Sequence, residues 1–136
     1  MRYDISPRVS PGMLFALSVP TMMIRDLAAH LNARIVTQRG SPEAPVDKVY
    51  AGDRISDMLG QTSDTTLVVT NLVGSSLMRV AELADIPAIC LLNGREPEPL
   101  MRQGAERHGI VLFVSPFDMF ETCGRLYGAL NGGSAE

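Results

Sequence analysis

Tryptophan is absent from the 136 residues, and three tyrosines and four phenylalanines supply all the aromatic rings. So few rings exclude a base-stacking surface of the kind single-stranded nucleic acid requires. Positive charge is also short. Twelve Lys and Arg stand against fifteen Asp and Glu, a net charge of −3. Without a basic stripe to meet a phosphate backbone, nucleic acid is not an expected partner. Only two cysteines occur, Cys90 and Cys123, each inside an apolar stretch. Two are too few for a disulfide framework and, with His30 and His108 distant in sequence, for a zinc site. Both read as small buried hydrophobes in a reducing cytoplasm. No run approaches the roughly 20 apolar residues of a membrane span, so no membrane association is expected. The nearest imitation, residues 13–19, is bracketed by Pro11 and Pro20 and followed by no small-x-small cleavage site. Residues 1–20 therefore read as an N-terminal extension, either disordered or docked on a neighbour.

Catalytic signatures are missing as well. No G-x-x-x-x-G-K-[ST] loop, no G-x-G-x-x-G after a strand, no G-x-S-x-G elbow, no C-x-x-C and no H-E-x-x-H occurs. The expectation is a protein without catalytic residues, cofactor or metal.

What is present reads as one domain. The hydrophobic fraction is 46% and the charged fraction 20%, ordinary for a globular chain with a single core. Ile24, Leu27, Ala28 and Leu31 recur at helical spacing, with Thr21 as the expected N-cap and Asn32 near the stop. Short strands follow at 34–37 and 48–51, separated by a turn-rich loop over 39–46, and a helical segment lies near 55–59. Beyond Gln61, strand-then-helix repeats three times. Strands at 66–70, 88–92 and 110–114 lead to helices carrying Leu77, Val80 and Ala81, then a segment from Pro99 to Gly109, then one opened by Ser115-Pro116 with Asp118. The strands are almost continuously apolar, as a parallel sheet covered on both faces requires. The expected architecture is α/β: a single three-layer domain over 21–131, mainly parallel in its central sheet, with helices on both faces and a polar tail at 132–136.

In open α/β sheets, ligands gather beyond the carboxyl ends of the strands. The four ends here are polar: Gly52-Asp53 followed by Ser56 and Asp57; Thr70-Asn71 followed by Ser75 and Ser76; Asn93-Gly94-Arg95; and Ser115. Helix N-termini present unpaired N–H groups that suit an anion, and Arg95 adds a guanidinium for a phosphate or carboxylate. Turn and capping chemistry accounts for Asn, Gly, Ser and Asp at such positions equally well. Arg95 is the exception, because no turn needs it. Asp53 and Asp57, four apart, suit either an acid pair on one helical face or the first-turn dipole preference.

Taken in order, VYAGDRISDML (49–59), TLVVT (66–70), AICLLNGREPEP (88–99) and GIVLFVSPFDMFETCGRLYGAL (109–130) resemble the DRTGG domain. The similarity is to the branch related to the N-terminal domain of HPr kinase/phosphorylase, and it covers about residues 22–130. The five letters that name the family do not occur as a run, and Asn93-Gly94 stands at the Thr-Gly-Gly position. The kinase domain with its phosphate loop is not in this chain, so the resemblance implies no phosphoryl transfer. It implies an accessory or sensor domain that tends to form a homodimer.

Three functions follow as expectations, in this order. The first is a regulatory module holding a small anionic ligand, a nucleotide or phosphorylated metabolite, at the strand ends. The second is a homodimerisation module or a docking module for a larger protein partner. The third, ranked last, is an undescribed enzyme using Asp53, Asp57 or Arg95.

Overall fold

The computed structural model describes residues 2–4 and 21–132. The apolar run 13–19 and the last four residues lie outside the described residues. The elements are β1 (Arg2–Asp4), β2 (Met22–Met23), α1 (Ile24–His30), β3 (Arg34–Ile35), β4 (Pro45–Val46), β5 (Lys48–Gly52) and α2 (Ile55–Gln61). They continue as β6 (Thr66–Thr70), α3 (Ser76–Leu83), β7 (Ala88–Leu91), α4 (Pro99–His108), β8 (Val111–Val114) and α5 (Met119–Leu130).

One sheet runs in the order β1-β5-β6-β7-β8-β3. Its four central strands are parallel, with Val49 beside Leu67, Val69 beside Cys90 and Cys90 beside Phe113. The flanking β1 and β3 are antiparallel to β5 and β8. Residues 2–4, within the stretch read as an extension, thus border the sheet. Thr66 to Thr70, Ala88 to Leu91 and Val111 to Val114 are buried at every position, which explains strands without alternation: both faces are covered. Val49, Leu67, Val69, Cys90 and Phe113 face α1 and α5, meeting Leu27, Leu31, Cys123 and Leu126. Val68, Ile89, Leu91 and Leu112 face the other way, onto Met58 of α2, Leu77 and Ala81 of α3, and Met101 and Ala105 of α4. The expected three layers are therefore present. Cys90 and Cys123 are buried and free.

Local details depart from the sequence reading: the strand expected at 34–37 is confined to Arg34–Ile35, and two helix starts and one loop also differ. Helix α1 starts at Ile24 rather than at a Thr21 cap. Its first amides are met by backbone instead, Ile24 N–H donating to Ala44 O at 3.1 Å and Arg25 N–H to Pro42 O at 2.8 Å. The 39–46 loop thus satisfies the helix end that a capping side chain would otherwise serve. Its last two residues form β4, which pairs with β2 through Met22 and Val46. Helix α5 is capped by Asp118, whose carboxylate accepts from Glu121 N–H at 2.9 Å, so it starts at Met119 and not at Ser115-Pro116. Helix α4 opens with Pro99 and closes on Gly109 in the left-handed region, as expected.

Candidate functional site

Three of the four polar strand ends are tied into one network. At the end of β5, Asp53 reaches across to the end of β6. Its Oδ1 accepts from the Thr70 hydroxyl at 2.9 Å and from Asn71 N–H at 2.7 Å, and its Oδ2 accepts from the Asn71 amide at 3.1 Å. From β7, Asn93 Nδ2 donates to Asn71 Oδ1 at 3.2 Å and Arg95 donates to Asn71 O at 2.9 Å. Asn71 is therefore the hub through which the loops after β5, β6 and β7 meet. Partial burial pushes the Asp53 carboxyl upward, but the Asn71 N–H, the Asn71 amide and the Thr70 hydroxyl outweigh it and hold Asp53 below the usual carboxylate range.

Asn93 and Gly94 have φ of 60° and 68°. Arg95 N–H closes the turn on Leu92 O at 3.1 Å. Two left-handed residues in succession explain the Asn-Gly pair by turn geometry alone. Arg95 has no such duty, and only one of its donors is engaged within the network.

The connections decide where a crevice can open. Helices α2, α3 and α4 all pack on one face, whereas α5, following β8, packs on the other. The loops after β7 and β8 thus diverge, the arrangement that opens a ligand crevice in this class of sheet. Here backbone bridges it. Asn93 N–H donates to Phe117 O at 2.9 Å, Gly94 N–H to Ser115 O at 2.8 Å and Ser115 N–H to Leu91 O at 2.7 Å. Accessible polar surface lies instead over the ends of β5, β6 and β7.

The remaining sequence-expected residues are not drawn into the network. Ser115 is fully buried; its hydroxyl lies 2.9 Å from the Thr122 hydroxyl and accepts from Phe117 N–H at 3.1 Å. It secures the start of α5. Helix α2 begins only at Ile55, so Asp53 and Asp57 do not share a helical face, and Asp57 lies 3.9 Å from Arg54. Ser56, Ser75 and Ser76 are exposed, and Ser75, at the N-cap position of α3, makes no capping bond with its side chain. Gly52 is buried at the end of β5. Sequence reasoning passed over Glu98. Its N–H donates to Val73 O at 2.9 Å, and its carboxylate lies 3.5 Å from where a Cβ on Gly74 would stand. A second native carboxylate thus borders the loop entering α3. The signal was present in the Glu-Pro-Glu-Pro run before α4.

The strand ends bring together a carboxylate, two carboxamides, a hydroxyl and a guanidinium. Among the described residues no group of three or more His, Cys, Asp or Glu is placed to hold a metal. Burial drives the Cys90 thiol far above its ordinary value, with Cys123 adding to the shift, and pushes Cys123 up to about 11, so neither is poised as a thiolate. Two cavities lie outside the Asn71 network. One of about 200 Å³ sits at the amino ends of β7 and β8 beside Glu82, Asp85 and His108. One of about 280 Å³ lies between α3 and α4, lined by Ser75, a sequence-expected residue, and by Arg79, Leu100 and Arg107 among others. No helix among the described residues is long and apolar enough to cross a membrane.

No protein-family model and no curated protein matches this chain. A solved structure does: the CBS and DRTGG domains of the regulatory region of a Clostridium perfringens pyrophosphatase, complexed with its activator diadenosine tetraphosphate. The TM-score is 0.65 at 12% identity, covering 85% of this chain and 51% of that one. This chain therefore corresponds to about half of that regulatory region. At such identity the likeness concerns the fold, and it supports a DRTGG-like fold for this α/β domain.

Proposed function

We propose that this protein is a non-catalytic regulatory module that binds a small anionic ligand, of the nucleotide or phosphorylated-metabolite class, over the carboxyl ends of β5, β6 and β7. The observation that carries this reading is the network centred on Asn71. It couples three loops, so a ligand engaging one of them shifts the others. Arg95 stands at its solvent side with guanidinium donors to spare. The fold likeness to a regulatory region complexed with a dinucleotide tetraphosphate supports the ligand class. Asp53 and Glu98 sharpen the expectation: a phosphate must approach Arg95 and the start of α3 from the side away from both carboxylates.

A thermal-shift panel of AMP, ATP, diadenosine tetraphosphate and sugar phosphates tests the proposal. A ligand at about 100 times its Kd adds ~2.7 kcal/mol to the stability of the native state. No shift with any of them at millimolar concentration refutes it. Phosphate release from ATP that disappears in Asp53→Ala would instead make the protein an enzyme.

The second reading, a homodimerisation or partner-docking module, is favoured by a different observation: the outward face of α5 carries Phe120 and Tyr127 in the open.

A further inference from the structure

Helix α5 buries Thr122, Cys123, Leu126 and Leu130 against the sheet. At 100° per residue, the opposite side has three tracks. Gly124 and Gly128 run along its centre, Phe120 and Tyr127 form one flank, and Glu121 and Arg125 form the other. Phe120 is 86% exposed and Tyr127 49%. A Cβ added at either glycine would meet nothing within 4 Å, so nothing in the described fold requires glycine there. Both glycines weaken the helix relative to alanine without any return among the described residues. Glu121 accepts from Arg125 at 2.9 Å, and the same guanidinium stands 4.1 Å over the Phe117 ring, which fixes the charged flank.

We propose that this face is a homodimer interface in which α5 packs antiparallel on α5 of a second copy, the two-fold axis passing close to Gly124. This rests on the docking reading above and is independent of the ligand. The occupant follows from self-complementarity. A two-fold axis lying across the helix keeps each flank on its own side, so aromatic flank meets aromatic flank and charged flank meets charged flank. Reversal of direction then sets Phe120 opposite Tyr127 and Gly128, and Glu121 opposite Arg125. The bare glycine track lets the two backbones approach closely. Parallel packing would instead set the aromatics of one copy against the charges of the other. A polar partner helix leaves Phe120 and Tyr127 uncovered, and a wholly apolar one strands Glu121 and Arg125.

Sedimentation equilibrium of the full chain tests the proposal. The parent protein is expected to be a dimer at micromolar concentration. Gly124→Leu, which the monomer has room for, and Phe120→Ser should each weaken association at least tenfold, with the far-UV circular dichroism unchanged. Charge exchange reports on the pairing itself. Glu121→Lys and Arg125→Glu each set like charges across the axis and should be monomeric alone. Mixed together, they set opposite charges at both contacts and should form a heterodimer. A parent protein that is monomeric at about 100 μM overturns both this interface and the docking reading. A dimer that survives Gly124→Leu and Phe120→Ser, or charge variants that fail to associate on mixing, overturns the interface alone.

Discussion

The two ends of the parallel sheet are built on different principles. At the carboxyl ends, loops after β5, β6 and β7 are joined by side chains, with Asp53, Asn71, Asn93 and Arg95 exchanging bonds near the surface. At the amino ends, backbone meets backbone. Gly40, with φ of 97°, packs so closely on Gly109 that a Cβ would stand 2.8 Å from Gly109 O and 3.0 Å from a Val111 methyl. Beside that contact, Glu106 accepts from Gln38 and Arg39 N–H at 2.9 and 2.8 Å, and Arg102 donates to Val36 O at 3.1 Å. One end is locked by shape and the other is coupled through exchangeable polar groups. The side-chain bonds at the carboxyl end can yield to a ligand without unfolding, because they have alternatives in water or in a bound anion.

Substitutions at the two ends should therefore separate stability from binding. The largest loss of stability is expected for Gly40→Ala, which combines a forbidden backbone conformation with a backbone clash. It should cost more than ~2 kcal/mol, read as a lower denaturation midpoint. An unchanged midpoint would mean the amino end is looser than described. Asp53→Ala comes next. It leaves the buried Thr70 hydroxyl and Asn71 N–H without their acceptor and should cost about 1–3 kcal/mol.

The same carboxylate gives a pH signature. The folded pKa of Asp53 lies below its unfolded value, so its stabilisation is complete above the usual carboxylate range and is lost as pH falls through the folded pKa. Asp53→Asn should remove that part of the acid dependence, checked by urea denaturation at a series of pH values. Glu106, held low by the Gln38 and Arg39 amides, contributes with the same sign. Glu106→Gln should speed hydrogen exchange at those two amides while sparing the core. The smallest effect on stability belongs to Arg95→Ala, within about 0.5 kcal/mol, since the side chain is exposed. Its effect on ligand affinity should be ten- to a hundredfold, from one charge-assisted bidentate contact of roughly 1.5–3 kcal/mol. A variant that unfolds would make Arg95 a structural residue.

The three central strands and their following helices were legible because their signal is long and redundant: apolar runs between Asn, Gly and Pro punctuation, with Pro99 and Gly109 marking both ends of α4. The starts of α1 and α5 were not. Thr21 and Ser115 both have capping chemistry, but α1 takes its acceptors from Ala44 and Pro42, whose nearness is tertiary, and Ser115 turns inward to Thr122. Asp118 shows the same limit from the other side, since it and Ser115 are equally good caps on paper. At the candidate site, convergence of the first three loops could be anticipated from consecutive parallel strands. The bonding within it could not, because Asp53 meets Asn71 only through the register of β5 on β6. In sequence the polar strand ends read as donors for an anion. Folding assigns part of that capacity to the chain's own Asp53 and leaves Arg95 as the principal free donor.

The most direct test of the regulatory-ligand account is to map backbone amide chemical shifts of the full chain during titration with ATP and with diadenosine tetraphosphate. The account predicts perturbations concentrated in residues 52–57, 70–76 and 93–95, saturating with nucleotide and much reduced in Arg95→Ala. Perturbations confined to the amino end, at Glu82, Asp85, His108 and Gly109, or no saturable change with either nucleotide, would contradict it.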